Sequence, residues 1–240
     1  MSKPIALVTG GSRGIGRAIV ERLIKDDYEV LNFSRTPAAQ TLPGETFESV
    51  DLMSPQATEQ AISHWSAKRD IVHLVNNAGM IHVAALEEVT PEQVQEMVNL
   101  NLMAPMLLTR ALIPAMKNHG YGRVVNIGSR AALGKKGRTV YSATKAGFVG
   151  MTRTWALELA KHGVTVNLIA PGAIATELFL AANPEDSEQT RQLKASVPLA
   201  RIGKPEEIAH MVAMFFDPLA GYTTGQVLYV CGGLSVGQTG

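Results

Sequence analysis

Tyr141 and Lys145 stand four residues apart in the run Tyr141-Ser142-Ala143-Thr144-Lys145. On a helix that spacing puts both side chains on one face. A free phenol has a pKa of about 10 and is a poor base at neutral pH. A cation held nearby favours the phenolate and lowers that value, and a shift of about 3 units requires roughly 4 kcal/mol. Such a pair can pass a proton to or from an oxygen, although an incidental exposed Tyr/Lys pair has the same spacing. Ser129 strengthens the first reading. It closes Asn126-Ile127-Gly128-Ser129 at the end of an apolar run, where a hydroxyl can donate to a carbonyl and stabilise developing oxyanion charge. The plainer alternative for a serine there is a turn. Together the three residues point to interconversion of a carbonyl and an alcohol.

A second group of residues can hold a phosphorylated cofactor. Thr9-Gly10-Gly11-Ser12-Arg13-Gly14-Ile15-Gly16 follows the first apolar run. Glycines allow a tight turn and close backbone approach, and a helix N-terminus behind them receives a pyrophosphate. The spacing is G-x-x-x-G-x-G rather than the commoner G-x-G-x-x-G, and a plain glycine turn is the alternative. The second strand ends in Asn32-Phe33-Ser34-Arg35. An acid there would read a ribose 2′-hydroxyl. Arg35 with Arg13 can instead clamp a 2′-phosphate, which points to NADP(H), unless both arginines are merely solvated. Asp51 can hold the adenine amino group or cap a turn. Asn76-Asn77-Ala78-Gly79 adds polar groups beside the first turn, and Asn99 and Asn101 follow in a helix. Asparagine is a poor residue within a helix, so one of the two is expected to point inward, with a local backbone bond as the alternative.

These residues need a scaffold that brings them to one edge. Residues 5–8, 29–33, 71–75, 123–127, 165–170 and 227–230 read as strands, and 47–50 as a weaker one. Helices start at Ser54-Pro55, at Thr90-Pro91-Glu92-Gln93 and at Lys204-Pro205-Glu206-Glu207, by N-cap, capping box and first-turn proline. Near-continuous apolar strands alternating with helices predict an α/β fold, a Rossmann-type doubly wound parallel sheet of about seven strands. At 240 residues the chain suits a single domain, 1–240. The stretch 177–200 is expected as an insertion above the ligand-binding edge.

Composition narrows the partners. The chain is 46% hydrophobic and 18% charged, with 22 Lys+Arg against 21 Asp+Glu. A net charge of +1 gives no reason to expect nucleic acid or an anionic membrane. The single cysteine, Cys231, can form no internal disulfide, and the scattered histidines lack metal spacing, so no metal is expected. No signal-peptide layout and no uninterrupted apolar run of about 20 residues is visible, and a cytoplasmic protein is the expectation.

The chain resembles the compact short-chain dehydrogenases/reductases along essentially its whole length. The likeness rests on the 9–16 turn, residues 76–79, Asn101, Ser129, Tyr141 with Lys145, Pro171-Gly172 with Thr176, Pro198-Leu199-Ala200-Arg201-Ile202-Gly203-Lys204-Pro205-Glu206-Glu207, and 225–233. The resemblance implies a catalytic tetrad of Asn101, Ser129, Tyr141 and Lys145. Tyr141 would be the acid/base, Ser129 would orient the carbonyl, Lys145 would bind the nicotinamide ribose, and Asn101 would support a water-linked proton path. It also implies cofactor contacts from the glycine turn, Asp51-Leu52, Asn77, Ala78, Gly79, Pro171, Gly172, Ile174 and Thr176. Within the family the chain is most similar to bacterial 3-oxoacyl-acyl-carrier-protein reductases. This implies a 3-oxoacyl thioester as substrate, acyl carrier protein as a partner and a homotetramer, the last in keeping with the apolar final strand. Two departures bear on the carrier. The Ser129–Tyr141 gap is twelve where thirteen is common, in a loop bearing Arg130, Lys135, Lys136 and Arg138. His162 stands where a carrier-docking arginine is expected before Gly163. An acyl-CoA, a sugar or a cyclic alcohol is the alternative substrate, and a nucleotide sensor without catalysis is the alternative role.

Overall fold

The structure, a computed structural model, describes residues 3–184 and 186–236. Seven parallel strands form one sheet: β1 (Ile5–Thr9), β2 (Glu29–Ser34), β3 (Glu45–Ser49), β4 (His73–Asn76), β5 (Gly122–Ile127), β6 (Val164–Pro171) and β7 (Val227–Val230). Their spatial order is β3-β2-β1-β4-β5-β6-β7. The direction of winding therefore reverses between β1 and β4, which opens a crevice at the strand C-termini. All seven expected strands are present. The fourth starts two residues later than its apolar pattern, because Ile71 and Val72 lead into the strand before it pairs with β1 at Ala6↔His73.

Eight helices cover the sheet: α1 (Gly14–Lys25), α2 (Pro55–Ser66), α3 (Pro91–Val98), α4 (Ala104–His119), α5 (Thr139–Leu159), α6 (Glu177–Ala182), α7 (Glu188–Ser196) and α8 (Pro205–Phe216). The expected caps form. Ser54 accepts from the Ala57 amide, Thr90 exchanges bonds with Gln93, and Glu207 accepts from the Lys204 amide. Each cap satisfies amides that the first turn leaves without partners.

Successive side chains of a buried strand feed opposite cores. In β1, Ile5 and Leu7 pack with α2, α4 and α5, while Ala6 and Val8 pack with α1 and α8. The helical stretch 91–119 is long and apolar enough to cross a bilayer, unlike any uninterrupted apolar run in the sequence. Its Leu108, Leu112 and Met116 are fully buried against the sheet, which accounts for that apolarity. A buried polar ladder ties the same layer together. Asn76 donates to Asn126 at 2.9 Å and Asn126 to Thr152 at 2.9 Å, linking β4, β5 and α5. This ladder fixes α5, the helix that carries Tyr141 and Lys145, against β5, the strand that leads to Ser129.

Candidate active site

Tyr141 lies in the first turn of α5 and Ser129 immediately precedes a 3-10 turn, Arg130–Leu133, after β5. The Ser129 hydroxyl lies close enough to the Tyr141 phenol to favour its ionised form. Ser129 Oγ also accepts from the Ala131 amide at 3.1 Å, so its turn-forming role and its approach to the phenol coexist. One turn along α5, Lys145 is buried, with Nζ 5.7 Å from the centre of the Tyr141 ring and 2.9 Å from the Ile127 carbonyl that accepts from it.

The electrostatics differ from the sequence expectation in one respect. Burial dominates at Tyr141 and raises the phenol above its ordinary value, opposed by the Ser129 hydrogen bond and by the charge of Arg138. Lys145 is itself strongly perturbed, since removal from water lowers its ammonium to about 8. In the free protein Tyr141 therefore holds its proton at neutral pH. A phenol in that state is suited to give a proton up to a developing oxyanion.

Asn101 joins this group through the backbone. Residues Asn99–Met103 form a π-turn between α3 and α4, a local widening often found at functional sites. Asn101 is buried there, while Asn99 stays near the surface and accepts from Gln95. The Asn101 amide donates to the Met80 carbonyl at 3.0 Å and to Thr144 Oγ1 at 3.1 Å, and its oxygen accepts from the Met80 amide at 2.9 Å. The loop after β4 is thereby clamped to α5. A Cβ built on Gly79 would sit 3.3 Å from Asn101 Oδ1 and 3.5 Å from Lys145 Nζ, so the tetrad meets the loop at that glycine.

Gly79 also belongs to the wall of a cleft of about 640 Å³ at the C-terminal ends of β1, β2 and β4. Of the residues expected to hold a dinucleotide, Gly10, Ser12 through Gly16, Arg35, Asp51 with Leu52, Asn77 through Gly79 and Thr176 line it. Arg13 and Arg35 are both exposed on its wall, and Asp51 accepts from the Met53 amide as a turn residue. Tyr141, Lys145, Pro171, Gly172 and Ile174, also expected to touch the cofactor, lie outside these walls. The Gly172 amide bonds the Val230 carbonyl, and Ile174 is buried against α8, where it lines a separate apolar cavity of about 510 Å³.

The cleft fits a dinucleotide on its own geometry. A Cβ on Gly16 would stand 2.0 Å from the Gly10 carbonyl oxygen. Only glycine lets the start of α1 close on the turn and leave its amides facing outward as an anion site. Among the described residues no group of His, Cys, Asp and Glu can hold a metal ion.

Several positioning residues escaped the sequence reading. Thr9 Oγ1 accepts from the amides of Asn77 and Ala78, both at 2.9 Å, and the Asn77 side chain donates to the carbonyls of Thr9 and Gly10. Asn77 thus ties the two loops together besides facing the cleft. Asn32 accepts from the Gly11 amide at 3.0 Å and donates to Glu45 at 2.9 Å, and Glu45 pairs with Arg17 at 2.7 Å. This buried network holds the glycine turn from below. A polar residue within the apolar run of β2 was the available signal.

Comparison with known proteins agrees with the site. The short chain dehydrogenase family model matches residues 4–187. The chain is 36% identical to the 3-oxoacyl-acyl-carrier-protein reductase FabG of Vibrio harveyi, over 96% of both chains. It is 39% identical to the acetoacetyl-CoA reductase of Rhizobium meliloti, over 95% of this chain and 97% of that one. Among solved structures, a blue fluorescent protein from a metagenomic library, in complex with NADPH, superposes with a TM-score of 0.86 at 33% identity, covering 97% of this chain and 98% of the other.

Proposed function

Because the chain belongs to the short-chain dehydrogenase/reductase family, we propose that it is the NADPH-dependent reductase of a 3-oxoacyl thioester. The observation that carries this reading is the grouping of Ser129 beside a protonated Tyr141, one helical turn from a buried Lys145 that approaches the cleft at Gly79. NADPH, when bound in the cleft, supplies the hydride. Ser129 and Tyr141 hold the substrate carbonyl oxygen between two hydroxyls. As negative charge grows on that oxygen, Tyr141 transfers its proton to it and Ser129 donates a hydrogen bond. Lys145, steered by the Ile127 carbonyl, places its ammonium beside the phenolate that remains and meets the nicotinamide ribose. Asn101, buried and fixed to Met80 and Thr144, keeps the π-turn open as the route by which Tyr141 regains a proton.

The cofactor choice follows from Arg13 and Arg35 on the cleft wall and the absence of an acid at the end of β2. Two guanidiniums there favour a 2′-phosphate over a 2′-hydroxyl. The thioester reading is supported by the names of two relatives, one acting on a carrier-linked and one on a CoA-linked 3-oxoacyl group. NADPH oxidation measured with 3-oxoacyl thioesters, simple ketones and aldoses tests it. Thioester turnover well above the others is expected, and preferential turnover of an aldose or a cyclic ketone refutes the substrate assignment.

Two further features belong to this reading. The 177–200 segment forms α6 and α7 after β6 and serves as a substrate lid within a single 1–240 domain; Glu185 lies outside the described residues. The chain also assembles as a homotetramer. Among the described residues strand β7 pairs only with β6 and offers its other edge, and Leu219 and Tyr222 nearby are almost fully exposed. Sedimentation at micromolar concentration checks this, and a monomer contradicts it.

A further inference from the structure

The loop between Ser129 and Tyr141 carries a concentration of positive charge without counter-ions. Arg130, Lys135, Lys136 and Arg138 fall within nine residues of a chain whose net charge is only +1. Several other cations of the fold are paired, as Arg17 with Glu45, Arg22 with Asp26, Arg110 with Glu59 and Arg201 with Glu207. None of the four loop cations forms an ion pair with a carboxylate of the described residues. Arg138 bonds only the Gly137 carbonyl, at 3.3 Å. The charges are close enough to act on one another, since burial, and then the charges of Arg138 and Arg130, lower the ammonium of Lys135.

The backbone holds this arrangement in place. Gly134 and Gly137, at φ +99° and +68°, flank Lys135-Lys136. They turn the chain through conformations that residues with a Cβ resist, so the two ammoniums are displayed at the tip. The Gly137 carbonyl accepts from the Ala84 amide at 3.3 Å, which fastens the tip to the 80–86 loop. Beside it, Ile81, Val83 and Leu133 are exposed by 40%, 66% and 60%. Exposed apolar side chains thus accompany the basic loop, and Val83 lies next to Gly137. Like charges gathered without partners oppose folding, and an anion seated among them relieves that repulsion.

We propose that the 130–138 loop is a phosphate-binding lip, and that the thioester reduced at Tyr141 is carried on coenzyme A. The inference rests on the thioester reading above. Both a carrier protein and coenzyme A present a phosphorylated pantetheine arm. A carrier presents one phosphodiester, whereas coenzyme A adds a diphosphate and a 3′-phosphate, a polyanion that matches four unpaired cations. The exposed Ile81, Val83 and Leu133 offer apolar surface to the pantetheine portion, and the lip takes the phosphates.

The test compares the intact protein with the double variant Lys135→Gln/Lys136→Gln on 3-oxobutyryl-CoA, on the same acyl group linked to N-acetylcysteamine, which has no phosphate, and on a carrier-linked form. Loss of two phosphate contacts should raise KM for the CoA substrate about tenfold or more. kcat, KM for NADPH and KM for the N-acetylcysteamine thioester should stay unchanged, and that last substrate also reports that the variant is folded. An unchanged KM for the CoA substrate overturns the lip. An equal loss on the phosphate-free thioester does so too, and preference for the carrier-linked form by kcat/KM overturns the choice of coenzyme A. Titration calorimetry with free coenzyme A separates this from the reductase reading. If no thioester is turned over, that reading fails, while tenfold weaker binding of coenzyme A by the variant still supports the lip and equal binding refutes it.

Discussion

Lys145 donates from Nζ to the Ile127 carbonyl at 2.9 Å while its side chain is almost completely removed from water. Its ammonium is lowered to about 8, below the ordinary value of 10.5. A folded-state pKa below the unfolded one means that the charged form is disfavoured in the fold. The fold is therefore fully stable above the unfolded value, and stability is lost as pH falls through the folded one. At neutral pH the cost is at most about 3 kcal/mol. Lys145→Met removes it and leaves the Ile127 carbonyl unpaired, which costs about 1 kcal/mol or more in return. The expected result is a free protein about 1–2 kcal/mol more stable at pH 7, with the gain shrinking near pH 10, and without activity. Urea denaturation at the two pH values checks this.

Tyr141→Phe keeps the ring and removes the transferable proton. Turnover should fall by at least the 10²–10⁴-fold that a positioned proton donor contributes, while NADPH affinity measured by fluorescence titration changes little. Turnover close to that of the unmodified protein would rule out the proton-donor role.

Arg13 and Arg35 line the cleft without carboxylate partners among the described residues. Replacing both with Ala should erase most of the preference for NADPH over NADH, because each guanidinium–phosphate contact is worth roughly 1.5–3 kcal/mol. Comparison of kcat/KM for the two cofactors decides it. Equal values in the unmodified protein exclude the clamp.

His73 lies at the opposite end of the sheet, packed between Tyr28 and Phe216 with ring centres at 5.1 and 5.0 Å. Burial, and then the charge of Arg123, lowers its pKa from 6.5 to about 4. The fold keeps this contribution above pH 6.5 and loses it as pH falls toward 4, by up to about 3 kcal/mol. His73→Phe should flatten stability between pH 6.5 and 4. An unchanged acid slope in chemical denaturation would place the acid sensitivity elsewhere.

The lid is read from amide exchange. In α6, Leu178 and Leu180 are 69% and 49% exposed, apolar area that closure over cofactor and substrate would cover. Amides of α6 and α7 should exchange quickly in the free protein and slow at least tenfold with NADPH bound. Strong protection without ligand, unchanged by it, identifies a permanently packed insertion.

The expected seven strands, the glycine turn, the three helix caps and the Tyr141–Lys145 spacing were legible in the sequence because each depends on residues a few positions apart. Apolar continuity marks a strand buried on both faces, and i to i+4 spacing marks one helical face. The choice between Asn99 and Asn101 was not legible from residue type and spacing, and only the family resemblance implied Asn101. The π-turn places Asn101 inward, where it bonds Met80 of the loop after β4 and Thr144 of α5, residues distant in the chain. The Asn32–Glu45–Arg17 network was hidden for the same reason, since its members lie on β2, β3 and α1. Only the tertiary structure decided the state of Tyr141. Sequence spacing pointed to a phenol lowered by a neighbouring cation, but burial acts on Tyr141 and Lys145 alike, raising the phenol and lowering the ammonium. Desolvation is a property of everything packed around a group, and no pair of residues in the chain encodes it alone.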